Sequence, residues 1–209
     1  MDASIDLLDS GSRATGRPRS QDCRKKTLRA AETLLLRDGF ARMSVEAIAQ
    51  LAGVSKATIY RWWPNKASVV MEALLQSTEA ELFVPASPFP EEELITRIRR
   101  TVSLFRSPKG RIIASLIAEA QSDPEIGQAY RTLLLEPRRL ALSAAIQRGI
   151  AAGIFSRGID MTLVIDILYG PLYQRLLLGH APLDAAFERD YPPIAVAALR
   201  GCAPAAERR

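Results

Sequence analysis

Residues 44–66 read SVEAIAQLAGVSKATIYRWWPNK. Ser44 suits a helix N-cap, because its hydroxyl can accept from an orphan N–H of the first turn. Val45, Ile48, Ala49 and Ala52 follow at i, i+3, i+4 and i+7, a single apolar face of a short helix. Gly53 comes at once and can take the positive φ that stops a helix and turns the chain. Val54 can plug the angle between two helices. Ser55 is a second N-cap, and a helix from Lys56 to about Trp63 would turn Ile59 and one of Trp62 or Trp63 inward. Pro64 cannot continue it, and Asn65 can cap a further helix near Lys66. The layout is a helix-turn-helix whose second helix is basic and aromatic, an arrangement that enters the major groove of DNA.

The chemistry on the outer face fits that reading. Lys56 can donate to guanine O6 and N7, and the Thr58 methyl or hydroxyl can meet thymine or a phosphate. Tyr60, Arg61 and Lys66 can reach phosphate oxygens, and Ala57 lets the helix sit deep. Glu46 points outward near the start of the first helix and can accept from cytosine N4. A helical hairpin with a solvated basic face would explain each residue singly. It does not explain why caps, glycine turn and basic-aromatic face coincide.

These residues resemble the DNA-binding domain of the TetR (tetracycline-repressor-like) family of bacterial transcription regulators. The matching positions are 44–49, 52–63 and Asn65-Lys66, extended upstream by Ala30-Ala31, Leu34-Leu35 and Gly39-Phe40, so that the resemblance covers about 20–80. A looser resemblance to one C-terminal domain type of that family rests on Phe155, Asp160, residues 167–173, 175–180 and 182–184. The resemblance implies a homodimeric regulator with an all-helical C-terminal domain that binds a small effector. By position it places DNA contacts on Ser44, Val45 and Glu46, on Lys56, Ala57, Thr58 and Tyr60, and on Trp62 and Lys66. Ser55 and Arg61 flank them. Trp62 stands where the family often has an imidazole or phenyl ring, and its N–H keeps a phosphate contact open. Glu46 is less usual at such a site and is as well suited to orienting a neighbour. The resemblance also places an effector pocket among the helices between 66 and 179. Phe105, Ile112, Leu116, Ile117, Tyr130, Leu133 and Leu134 can line it, or serve as ordinary core.

Charge is distributed unevenly. The 209 residues carry a net +5. Residues 1–66 hold 12 Lys+Arg against 7 Asp+Glu, and 67–209 hold 16 of each, so the whole excess sits with the helix-turn-helix. A basic patch confined to one segment is a footprint for a polyanion. Cys23 and Cys202 form neither a metal spacing nor a disulfide framework, and reduced thiols in a cytoplasmic protein are expected. The start, MDASIDLLDS, has no apolar signal core. The most apolar stretch, 159–178, contains Asp160, Asp166, Gln174 and Arg175, which fits a buried helix and not a membrane span. There is no Gly-rich phosphate loop and no Cys/His cluster, and His180 is the single histidine. No enzyme, cofactor or metal site is expected.

The whole chain reads as all-α, about nine helices. Residues 1–20 form a basic arm with Arg13, Arg17 and Arg19, able to lie in a minor groove or to remain a solvated tail. Residues 21–66 form a three-helix helix-turn-helix domain. Residues 67–204 form a larger helical domain for effector binding and dimerisation. Its helices are expected at about 66–83 (Glu72, Glu79 and Glu81 outward), 91–106, 108–121, 124–151 with a bend at Pro137, 160–179 with a kink at Gly170-Pro171, and 192–201. Glu91, Glu92 and Glu93 favour the N-terminal dipole of their helix, and 181–190 is a connection. Asp166, Tyr169 and Tyr173 share a helix face, to bind a ligand or one another across a dimer. The helices at 160–179 and 192–201 are apolar on more than one face, which suits a two-fold four-helix interface. Such a dimer would set two recognition helices about 34–36 Å apart, or a near multiple of that. The expected function is a repressor on a palindromic double-stranded operator, released by a small apolar or amphipathic effector. A ligand-independent or activating regulator of the same fold remains the alternative.

Overall fold

Capping chemistry sets most of the helix boundaries. The computed structural model of the chain describes residues 17–158 and 160–201, apart from the side chains of 17–20. Helix α1 (Arg17–Asp38) begins inside the segment expected as an arm. Arg17 and Arg19 therefore stand on helical backbone, and their side chains, like Arg13, lie outside the described residues. The motif follows as α2 (Val45–Ala52) and α3 (Lys56–Tyr60), and α4 (Lys66–Leu82) leads out of it. Ser44 Oγ accepts from the Ala47 N–H at 3.1 Å, Ser55 Oγ from Thr58 at 3.1 Å, and Asn65 Oδ1 from Ser68 at 2.9 Å. Gly53 sits at φ 66°. Its N–H bonds the Gln50 carbonyl and that of Val54 bonds Ala49, the paired closure of a Schellman turn. α3 is shorter than expected: residues 61–63 continue as a turn that still bonds the Ile59 carbonyl. α1 packs across α2 and α4 and buries Ala31, Leu34, Leu35, Ile48, Ile59 and Val70.

The remainder comprises α5 (Pro90–Arg106), α6 (Pro108–Glu119), α7 (Pro124–Ala129), a π-helical segment (Tyr130–Leu135), α8 (Glu136–Ala151), α9 (Met161–Leu178) and α10 (Ala185–Ala198). Among the described residues all regular structure is helical, and α7, the π segment and α8 form one rod. α5 is the strut of this half, packed against α4, α6, α8, α9 and α10, with Leu94, Ile98 and Val102 fully enclosed. The α5–α6 turn is tight enough that a Cβ on Gly110 would lie 2.0 Å from the Phe105 carbonyl oxygen. Only glycine lets α6 start so close.

Prolines shape the rest. The π segment precedes Pro137 and absorbs the bend expected there, since a widened turn relieves the ring's clash with the carbonyl four residues back. Pro171 lies inside α9 and offers no N–H, which leaves the Ile167 carbonyl without its helical partner. The Tyr191 hydroxyl of α10 fills that vacancy, donating toward Ile167 O at 3.1 Å and Leu168 O at 3.0 Å. The boundary of α10 differs from expectation. Asp184 Oδ1 caps it through the Phe187 N–H at 2.8 Å, so the helix begins at Ala185 and carries Pro192 and Pro193 inside. Proline's preference for a first turn draws the eye to 192, whereas the aspartate cap comes a full two turns earlier.

Candidate nucleic-acid interface and effector cavity

Lys56, Ala57, Tyr60, Arg61 and Trp62 stand exposed side by side on and just after α3. The cap at Ser55 fixes the helix start, and its Oγ also lies 2.9 Å from Thr58 Oγ1, so the half-buried Thr58 hydroxyl is engaged within the turn. Lys56 Nζ donates to Glu46 Oε1 at 2.9 Å, which ties α3 to α2. That bond holds the Glu46 carboxyl below its ordinary range and raises Lys56. Both groups are open to water, so the pair adds little stability. It holds the lysine over the first turn of α3, and Glu46 thus acts on a neighbour. Val45 does not join this face. It is 6% exposed, because it begins the apolar stripe of α2. Ser44 is half-buried with its hydroxyl in the cap.

Lys66, expected at a phosphate, is turned inward. Its Nζ donates to the carbonyls of Phe40 and Met43, each at 3.1 Å, and lies 4.0 Å over the Phe40 ring. Burial holds the ammonium below its usual value, against the pull of the Glu119 and Asp123 carboxylates. Lys66 therefore clamps the 39–44 loop that presents α2. Lys66→Met is expected to lower the thermal midpoint by several degrees, since two carbonyls lose a donor at about 1–3 kcal/mol in all. The slope of log K against log salt for DNA should not change. A slope reduced by about one per subunit would instead make Lys66 a phosphate contact.

The two tryptophans divide their work. Trp63 is buried and its Nε1 donates to Glu72 at 2.7 Å. Glu72, expected outward, also pairs with Arg24 of α1, whose guanidinium lies 5.6 Å over the Trp62 ring. An acceptor on α4 thus decides which tryptophan faces inward.

Beyond this domain, α4, α5, α6, the π segment, α8 and α9 line a partly open cavity of about 630 Å³. Ile117, Tyr130, Asp166, Tyr169 and Tyr173 line it as expected. Phe105, Ile112, Leu116 and Leu134 do not: they are buried core, with the Phe105 ring set edge-on to Tyr173 at 5.2 Å. Leu133 reaches the surface. Sequence reading missed the lining of α4 (Leu75, Thr78, Leu82), Arg97 and Thr101 of α5, and Arg138 of α8. Arg139 bridges to Asp166 at 2.7 Å, joining α8 to α9. The Tyr130 and Tyr173 hydroxyls lie 3.4 Å apart. Burial pushes the Tyr130 and Tyr169 phenols far above their usual values, so both stay protonated. Among the described residues no cluster of three or more His, Cys, Asp or Glu could hold a metal, and no helix is long and apolar enough to cross a membrane.

Comparison with known proteins agrees with both halves of this geometry. Residues 28–73 match the family described as bacterial regulatory proteins, tetR family. Residues 87–191 match the family described as tetracyclin repressor-like, C-terminal domain. The chain is 37% identical over 175 residues to the uncharacterized HTH-type transcriptional regulator YdeS of Bacillus subtilis, covering 84% of this chain and 88% of that protein. It is 32% identical over 164 residues to the DNA-binding transcriptional repressor TetR of Mycobacteroides abscessus, covering 77% and 84%. The crystal structure of the TetR family transcription regulator SCO0332 superposes with a TM-score of 0.73 at 31% identity, covering 88% of this chain and 100% of that one. With a helix-turn-helix in front and a cavity-bearing helical domain behind, the chain belongs to the TetR family of DNA-binding transcriptional regulators.

Proposed function

We propose that this chain is a cytoplasmic, non-enzymatic repressor that binds a palindromic operator as a homodimer and leaves it when a small apolar or amphipathic molecule enters the cavity. The observation that carries the reading is the position of α4. Its first turns pack into the DNA-binding core through Ala67, Val69 and Val70, and its later turns line the cavity through Leu75, Thr78 and Leu82. At 17 residues it is one rod about 25 Å long. A ligand that displaces its far end displaces the recognition helix, provided the ligand binds the displaced state better. Residues 21–66 then serve as the reading head and 67–204 as sensor and dimer domain.

Dimerisation is supported by apolar side chains left open on α9 and α10. Leu163, Ile167, Leu177 and Leu178 on α9 and Ile194 on α10 are all exposed, and apolar patches of this kind mark interfaces. Selection of bound sequences from random DNA by the full chain should return a palindrome. Sedimentation at micromolar concentration should give a dimer. A non-palindromic site, or a monomer, would defeat the two-fold reading. The alternative is a ligand-independent or activating regulator. The size of the cavity favours ligand response, and a reporter assay with the selected operator gives the sign of regulation.

A further inference from the structure

Arg138 lies on the cavity wall and, among the described residues, has no acidic partner. Among the described residues it donates only to Thr78 Oγ1, at 3.4 Å, too weak a bond to satisfy a guanidinium with five N–H donors. The other cations of the lining are compensated: Arg139 by Asp166 at 2.7 Å and Arg97 by Glu93 at 2.8 Å. Glu79 also borders the cavity, but it is exposed and makes no ion pair with Arg138. A half-buried guanidinium on the wall of an apolar cavity, with no counter-charge of its own, is free to meet an anion there. The Tyr130 and Tyr169 phenols line the same cavity and feel the Arg138 charge, Tyr169 that of Arg97 as well, and both stay protonated. The cavity therefore offers donors and a positive charge. The lining also carries the apolar side chains of Leu75, Leu82, Leu142 and Ile165, together with the mutually paired Arg139 and Asp166.

We propose that the effector is an amphipathic organic anion, a carboxylate on an apolar chain or ring system, with its head on Arg138 and the neighbouring tyrosine hydroxyls. The proposal rests on reading the cavity as the effector site. Charge-assisted bonds from a guanidinium to a carboxylate are shorter and stronger than the one Arg138 makes to Thr78. A bound carboxylate thus takes Arg138 away from Thr78, and that bond joins α8 to the helix that carries the DNA-binding domain. A cavity of about 630 Å³ suits a ligand of this size class.

The test is calorimetric titration of the full chain with dodecanoate and 1-naphthaleneacetate below micelle-forming concentrations. Dodecan-1-ol, 2-(1-naphthyl)ethanol and dodecylammonium serve as neutral and cationic counterparts. A carboxylate should bind at least tenfold tighter than its neutral counterpart, with the ammonium weakest. Arg138→Met should abolish that preference by weakening the carboxylate far more than its neutral counterpart, and Arg138→Lys should restore part of it. The proposal is overturned if neither carboxylate binds, if the alcohols or the ammonium bind as well, or if the preference survives Arg138→Met. Operator affinity measured on the same preparations separates the two readings. Carboxylate binding that requires Arg138 yet leaves operator affinity unchanged upholds the anion site and refutes its role as effector site. A protein that holds the operator and ignores both carboxylates refutes the ligand class alone.

Discussion

Replacing Glu93 by glutamine is expected to lower the thermal midpoint by roughly 6–12 °C, from a loss of about 3 kcal/mol at about 2–4 °C per kcal/mol for a chain of this size. The Glu93 side chain has no exposed surface. Its Oε1 accepts from Arg97 Nε at 3.0 Å and Nη2 at 2.8 Å, and its Oε2 accepts from the Ser87 N–H at 2.8 Å and Arg148 Nη2 at 2.5 Å. Arg97 also donates to the Val84 carbonyl at 2.8 Å. One carboxylate thus joins the 84–89 loop, α5 and α8, and fixes Arg97 against the cavity. Glutamine keeps the shape, removes the charge and turns an amide NH2 toward a guanidinium. The loss falls at the low end for a broken buried pair, because Arg148 keeps part of its surface in water.

The pH dependence identifies the charge as the cause. Burial alone would raise the Glu93 pKa; the Ser87 N–H and the two guanidiniums outweigh it and hold the carboxyl below its ordinary range. A depressed folded pKa means that the stabilisation is complete above the unfolded value of about 4.3 and is lost as pH falls through the folded one. The gap in midpoint between wild type and Glu93→Gln should therefore be constant from pH 7 to 5 and shrink below about 4. A gap that ignores pH would assign the effect to packing.

The same residue marks where sequence reading stops. Caps at Ser44, Gly53, Ser55 and Asn65 were legible because each closes a bond within a few residues of itself. The face of α3 was legible for the same reason. Glu93 reads as one of three carboxylates at a helix start, and only the arrival of α8 with Arg148 makes it a buried hub. Glu72 reads as solvent-facing until Arg24 and Trp63 converge on it. Lys66 reads as a free cation until the 39–44 loop folds over it. In the sensor half, Phe105 and Leu116 lie on cavity-lining helices but on the face turned to the core, since which apolar stripe meets a void and which meets another helix is decided by packing between distant segments. Arg97, Thr101 and Arg138 escaped because polar residues on such helices read as surface, although a cavity wall is where they have most to do.

Lys56→Ala is expected to weaken binding to the selected operator by roughly tenfold to a hundredfold per half-site, and so by about 10² to 10⁴ for a dimer occupying both. The bond from Glu46 makes the effect more specific than the loss of one cation. It restrains a flexible side chain over the first turn of α3, so less freedom remains to be lost when the ammonium meets a base edge. Removing the lysine also leaves the exposed Glu46 carboxylate on a face that must approach phosphates. Glu46→Ala alone should cost less affinity and broaden the bases tolerated at the position Lys56 reads, because the lysine is then free to reach alternatives. The double variant should recover part of the loss of Lys56→Ala, a non-additivity expected for residues in contact. Fluorescence anisotropy with the operator and with a scrambled duplex reads all three. A scrambled duplex has no base edge for Lys56 to select, so its affinity should fall only by the share that a single phosphate-facing charge supplies. Equal losses on both duplexes would place Lys56 on the backbone and leave Tyr60 and Ala57 as the residues of α3 able to read bases.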